Sequence, residues 1–203
     1  MKVSDQIMEC TRCPELVANR KKIVAGDGPV PCSIVFLGEA PGKEEDLTGI
    51  PFNGRAGDIL NSCAFQVGLR RGVDFHILNT LKCRPPENRN PKPHELENCR
   101  PFLEQQIAAV QPKVILAMGR YAISFVLHTE PENTKVLKNT GRVVRYDTRT
   151  VAVLSYHPAF LSRNQHPDIR EAFLNHLSLV NKISNGTVNE DEMHRMLVSS
   201  LGK

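Results

Sequence analysis

Four of the six cysteines in this 203-residue chain are spaced like ligands. Cys10 and Cys13 form a C-x2-C pair, and Cys83 and Cys99 form a C-x15-C pair in a Pro-rich stretch. Four thiolates hold zinc tetrahedrally or clasp an iron–sulfur cluster. Zinc modules usually show two tight knuckles and only one is present here, while a wide second pair suits a loop wrapped around a cluster at least as well. Spacing leaves zinc and iron–sulfur equally open. A redox-active C-x-x-C is a weaker third reading, because such a pair sits at a helix start after a strand and Cys10 does not. Cys32 and Cys63 read as buried thiols. A second feature is the cation run Lys82, Arg84, Arg89, Lys92 and Arg100, interleaved with Pro85, Pro86, Pro91 and Pro93. On charge alone it is a stiff solvated loop or a phosphate-contacting surface.

These residues need a frame. Ser33–Gly38, Phe75–Leu78 and Val114–Met118 are short apolar runs that read as buried strands. Val143–Tyr146 and Val151–Leu154 add two more across a turn at Asp147–Thr148. Ala56–Val67 carries Ile59, Leu60, Cys63, Ala64 and Val67 on one helical stripe. Pro93 opens a helix that must tolerate Pro101, so a kink or break is expected there. Arg120–Leu127 reads as a helix. Asp168 with Glu171 resembles a capping box, with a helix to about Ile183. From Ser184 the chain is polar, a tail or one extra helix. Strands alternating with helices predict an α/β fold with a mainly parallel sheet, whose ligands bind at the carboxyl ends of the strands. The GEAPG segment, the Asn79 region and His157 each follow a strand, so all three are expected at one sheet edge.

Composition bounds the class. Charged residues make up 24%, hydrophobic 40% and aromatic 5%; Lys+Arg is 26 against Asp+Glu 22, a net charge of +4. That excludes a disordered tail protein, a collagen and a dense disulfide scaffold. No apolar run reaches the roughly 18 residues of a membrane span, and MKVSDQIMEC lacks the apolar stretch of a signal peptide. A soluble, cytoplasmic protein in a reducing compartment is expected. The expected organisation is one domain over residues 1–184 with a tail over 185–203.

The chain reads GEAPGKEED at Gly38–Asp46, TGIPFNGRAG at Thr48–Gly57, ILNTLKCRPPENRNP at Ile77–Pro91 and YHPAFLSRN at Tyr156–Asn164. With Cys99 and the N-terminal C-x2-C, this resembles the iron–sulfur type of uracil-DNA glycosylase, family 4, from about Glu9 to Leu179. The resemblance implies a three-layer α/β/α fold of the uracil-DNA glycosylase type. It also implies a [4Fe–4S] cluster on Cys10, Cys13, Cys83 and Cys99. In that family the cluster is thought to order a DNA-facing loop, here the Cys83–Cys99 segment, with Arg84 and Arg89 as DNA contacts.

The resemblance also assigns roles. A glycosylase flips the nucleotide from the stack and stabilises the leaving base. His157 would contact a uracil carbonyl oxygen as a neutral donor. Asn79, with a donor and an acceptor, would distinguish uracil from cytosine. Phe52 would stack on the base, and its turn-rich loop argues against deep burial. Glu39 and the backbone of Ala40 would line the pocket. Ala40 stands where family 1 members place a water-positioning aspartate, which leaves Glu39 or Glu45 for that task; Glu44, Glu45 and Asp46 otherwise read as a solvated helix start. Leu161 and Arg163 would plug the gap left by the base and contact DNA. Two departures are Ser162, at a usual leucine, and Asn53, at a usual small apolar residue with a possible bearing on specificity. The expected protein is a monomeric enzyme acting on uracil-containing DNA, with no membrane partner. The alternative is a non-catalytic iron–sulfur DNA-binding protein associated with replication.

Overall fold

The computed structural model describes residues 3–164 and 166–199. Four apolar runs become parallel strands: β1 (Ile34–Gly38), β2 (His76–Asn79), β3 (Val114–Met118) and, after the antiparallel β4 (Val143–Arg145), β5 (Val151–Ser155). Sheet order is β2-β1-β3-β5-β4, with β4 the antiparallel edge. The parallel strands are buried along their whole length, as expected when both faces of a sheet are covered.

Alternation along each strand divides the core in two. Phe36, Ile77, Leu116 and Val153 face one layer. Val35, Leu37, Ile115 and Leu154 face the other. The first layer holds α4 (Arg55–Gln66) and α9 (Pro167–Ser184), the second α5 (Pro93–Val110) and α6 (Arg120–Leu127). Leu60, Cys63 and Ala64 of the α4 stripe are fully buried, each large aliphatic side chain contributing about 1.5–3 kcal/mol. Shorter helices complete the chain: α1 (Val3–Met8), α2 (Pro14–Asn19), α3 (Lys43–Thr48), α7 (Val136–Asn139), α8 (Pro158–Arg163) and α10 (Glu190–Ser199). No helix among the described residues is long and apolar enough to cross a membrane.

Some expectations change. α5 runs unbroken past Pro101. α9 starts at Pro167 with His166 as its cap and no side-chain capping bond, so the Asp168–Glu171 box is not used. Of the two readings for the segment after Ser184, a tail or one extra helix, the helix forms as α10, and Val188, Met193, Met196 and Leu197 pack on the core; residues 200–203 lie outside the described residues. α1 and α2 had no periodic signal, being only six residues each. Their Ile7 and Leu16 make a third small core with Leu81 and Phe102.

Candidate active site

The register of the sheet aligns its functional ends. Gly38 lies opposite Asn79, and Met118 opposite Ser155. Four strands therefore release Glu39, Thr80, Gly119 and Tyr156 at one edge, and Glu39, Gly119 and Tyr156 border a cleft of about 770 Å³. Glu39, Ala40, Glu45, Phe52, Asn79, His157 and Arg163 all line it. The convergence expected from strand spacing is present.

Asn79 forms part of the floor. It is 4% exposed, and its Oδ1 has no hydrogen-bond partner. A buried amide oxygen left unpaired costs about 1–3 kcal/mol, so it needs an explanation other than stability. Gly38 makes the room: a Cβ there would stand 2.4 Å from Asn79 Oδ1 and 2.7 Å from the Phe52 ring. Beyond β1 the chain stays stitched to β2, with Thr80 Oγ1 and Leu81 N–H both donating to the Glu39 carbonyl, at 2.6 and 2.9 Å.

Phe52 corrects one expectation. It is 5% exposed and packs in the core beside the cleft, despite its turn-rich loop. Its backbone is left-handed, φ 49°, which costs a non-glycine residue about 1–2 kcal/mol. Arg71 holds the strained loop, donating to the carbonyls of Phe52 at 2.8 Å and Pro51 at 2.6 Å while pairing with Asp27 at 3.0 Å. Gly57 admits the Phe52 carbonyl against α4, where a Cβ would be 1.9 Å away. The Phe52 ring stacks on His157, centroids 5.5 Å apart. Sequence reasoning missed Arg71, which lies about twenty positions from the carbonyls it grips and belongs to no motif.

His157 caps α8. Its Nδ1 accepts the Ala159 N–H at 3.2 Å, so the neutral ring carries its proton on Nε2. Burial, then the Arg163 charge, lowers its pKa to about 4. The ring is therefore a neutral donor at ordinary pH. Behind it, Ser155 Oγ pairs with buried His176 Nδ1 at 2.9 Å.

The two acidic candidates separate. Glu45 spends both carboxylate oxygens inside the protein: Gly42 N–H at 3.0 Å, Asn53 N–H at 3.0 Å and Gly54 N–H at 3.2 Å. It ties the start of α3 to the Phe52 loop while still lining the cleft. The Glu39 carboxylate has no hydrogen bond or ion pair within the described residues. Burial raises its pKa, with Arg120 and Arg163 opposing. Asp46 is not solvated: it is 2% exposed and accepts Lys21 and Lys22 N–H groups at 2.9 and 3.3 Å. Asn53 turns its amide to Thr48 and lies outside the cleft lining.

The expected DNA contacts also separate. Leu161 is 8% exposed and belongs to the core, so it does not stand ready as a plug. Arg163 is exposed at the cleft. Arg89 pairs with fully buried Glu95 at 2.6 Å and with Glu15 at 3.2 Å. Arg84 donates to Asn88 at 2.7 Å. Lys92 pairs with Glu15, Arg100 with Glu104, and buried Lys82 donates to the Asn79 carbonyl at 2.7 Å. Three of the five cations, Arg89, Lys92 and Arg100, are thus paired with carboxylates, while Arg84 keeps its charge without an acidic partner among the described residues. Its loop still borders the cleft, through Pro85, Asn88, Arg89 and Asn90. Arg120, on the same cleft, and Arg163 make no ion pair with a described residue.

Cys10, Cys13, Cys83 and Cys99 line a single small cavity between α1, α2 and α5. None of them is in a disulfide. Arg20 donates to Cys83 Sγ at 3.1 Å, and Asn98 to Cys13 Sγ at 3.5 Å. Burial raises Cys13 and Cys83, and Cys99 to about 11. Among the described residues no three His, Cys, Asp or Glu side chains are gathered tightly enough for one metal ion. The four thiols share one cavity, and two of their sulfurs accept side-chain N–H donors, a donor set whose chemistry suits iron or zinc. Cys63 is fully buried and Cys32 half-buried, both away from this cavity.

A family model described as the uracil DNA glycosylase superfamily matches residues 25–178. A "Type-4 uracil-DNA glycosylase" of Thermotoga maritima is 40% identical over 172 residues, covering 85% of this chain and 88% of the relative. One of Archaeoglobus fulgidus is 40% identical over 172 residues, covering 83% and 84%. One of Sulfurisphaera tokodaii is 36% identical over 175 residues, covering 84% and 78%. With the cleft assembled at the strand ends and the matched residues spanning all five strands, the chain belongs to the uracil-DNA glycosylase superfamily.

Proposed function

We propose that this chain hydrolyses the N-glycosidic bond of deoxyuridine in DNA, releasing uracil and leaving an abasic site. The observation that carries the reading is the orphaned Asn79 Oδ1 on a cleft floor beside an aromatic ring and a neutral histidine. The nucleotide is extruded from the stack into the cleft, where the Phe52 ring offers an apolar face to the base. Asn79 Oδ1 accepts the uracil N3–H and its Nδ2 donates to O4. Cytosine reverses both partners, leaving buried polar groups unpaired, which such sites reject strongly.

As the bond to C1′ lengthens, negative charge grows on the base and positive charge on the sugar. His157 donates its Nε2–H to the uracil O2 without giving up the proton, and such a preorganised donor is worth about 3–4 kcal/mol. Glu39, whose carboxylate makes no hydrogen bond with a described residue, faces the sugar cation and orients water, while Glu45 is held by three internal N–H groups. Water gives its hydroxyl to C1′ and a proton to the departing uracil.

We assign Cys10, Cys13, Cys83 and Cys99 to a [4Fe–4S] cluster. Bound there, a cluster would supply no step of the chemistry; Cys83 and Cys99 would tie down the two ends of the loop that borders the cleft. The shared cavity and the N–H donors on two sulfurs support this.

Incubation with a uracil-containing oligonucleotide followed by alkali should cut the strand at uracil. An intact strand across salt and temperature would overturn the enzyme reading. Purified protein should be brown, with about four irons and four sulfides per chain. Stoichiometric zinc instead would overturn the cluster.

A further inference from the structure

Lys82 is the only buried lysine among the described residues, 2% exposed. A buried ammonium without a nearby anion is costly, and a fold keeps one only where something compensates it. No described carboxylate pairs with Lys82; its Nζ donates instead to the Asn79 carbonyl at 2.7 Å. The charges that act on it are those of Cys99 and Cys83, which favour the ammonium.

Lys82 thereby stands between two sites that are otherwise separate. It lines the cysteine cavity, while its Nζ holds the peptide that carries Asn79 on the cleft floor. Asn79 Oδ1 has no partner, so its aim is set by the backbone it hangs from. The same segment is pinned by Thr80 Oγ1 and Leu81 N–H at the Glu39 carbonyl, and by Val24 N–H at the Lys82 carbonyl, 2.8 Å away. A [4Fe–4S] core on four thiolates keeps roughly two negative charges. Two cations meet that charge. One is Arg20, which donates to Cys83 Sγ at 3.1 Å and to the Cys10 carbonyl at 2.8 Å; the other is Lys82. Arg12, also at the cavity, lies over the Phe102 ring. Of these, Lys82 alone also bonds to a floor residue.

We propose that Lys82 is a positioning residue for base reading: the negative charge of the cysteine centre holds its ammonium in place, and the ammonium fixes the Asn79 peptide whose side chain meets the base. The centre then bears on excision through one hydrogen bond, besides tying down the loop between Cys83 and Cys99. The proposal rests on the uracil-excising reading of the cleft and on the cluster assigned to the four cysteines.

The test uses the full chain as purified, with iron, sulfide and zinc measured in every preparation. Single-turnover release of uracil is followed over a range of DNA concentrations, which separates the maximal rate from the half-saturating concentration. Lys82→Met keeps the stem and removes the ammonium. It should lower the maximal rate about ten-fold at parental metal content and shift half-saturation less than about three-fold, since small misplacements at a reacting centre are costly. Lys82→Gln, also uncharged, is measured beside it, so that one folded variant suffices. Lys82→Arg should recover most of the rate. Removing a cation makes an iron–sulfur centre harder to reduce, so the midpoint potential should fall in Lys82→Met and Lys82→Gln and hold in Lys82→Arg. A lysine that merely fills space would move Tm and leave the potential alone. Arg20→Met should lower the potential too, yet slow release less than Lys82→Met does. An unchanged maximal rate or an unchanged potential in the uncharged Lys82 variants overturns the proposal, as does equal slowing by Arg20→Met. A parent that releases no uracil overturns the excision reading instead, and a parent holding zinc or no metal overturns the cluster.

Discussion

The cleft floor and the loop over residues 82–100 are both rich in polar side chains, yet they use them in opposite ways. On the floor, Asn79 Oδ1 is buried without a hydrogen-bond partner, beside the half-buried Glu39 carboxylate. In the loop, Arg84, Arg89, Lys92 and Arg100 are each matched to Asn88, Glu95, Glu15 or Glu104. Unmatched polar groups cost stability and are tolerated where a ligand completes them; matched ones build scaffold. A polar cluster in sequence therefore says little until its partners are known.

The contrast can be broken most sharply at Asn79. Asn79→Leu keeps the shape and removes the orphan oxygen. It should lower uracil release about 10²–10³-fold while raising Tm by a few degrees, since 1 kcal/mol is worth about 2–4 °C at this size. A lost Tm with retained turnover would reverse the assignment. The mirror experiment is Arg89→Met, which strands the Glu95 carboxylate. Breaking one side of such a pair costs about 3–5 kcal/mol, read by urea unfolding; turnover below the new Tm should fall much less than in Asn79→Leu.

Arg71→Ala tests the loop that carries Phe52 and should cost about ten-fold in kcat/KM, with Arg71→Lys failing to restore it because one amine cannot replace the guanidinium fork. The smallest effect is on pH. His157 and His176 both have pKa values lowered to about 4, chiefly by burial. The unfolded chain protonates them near 6.5, so it binds more protons between about pH 6.5 and 4. Stability is full above that window and falls as pH drops through it. A scan of Tm from pH 7 to 4.5 should show the decline, and His176→Gln should flatten it.

Much of this was legible in the chain because it is local. Apolar runs gave the strands, Pro93 marked the start of α5, and the order of strand ends brought Asn79 and His157 together. Other features are decided by distant partners. Glu45 looked like solvated charge until its oxygens met amides up to nine positions away. Leu161 looked like a plug until α8 turned it into the core. Phe52 looked exposed because turn residues surround it, but Arg71 pins its loop inward. Pro101 failed to break α5, whose other turns bury Phe102, Leu103, Gln106 and Ile107 against the rest of the fold.

Gly38 carries a last consequence. Its hydrogen occupies the one place where a methyl would press on both the base-reading amide and the stacking ring. Every codon reachable from a glycine codon by a single change, apart from another glycine or a stop, adds that carbon. Sequence drift at this position has no gradual path: a neighbouring genotype has either the intact floor or a displaced one.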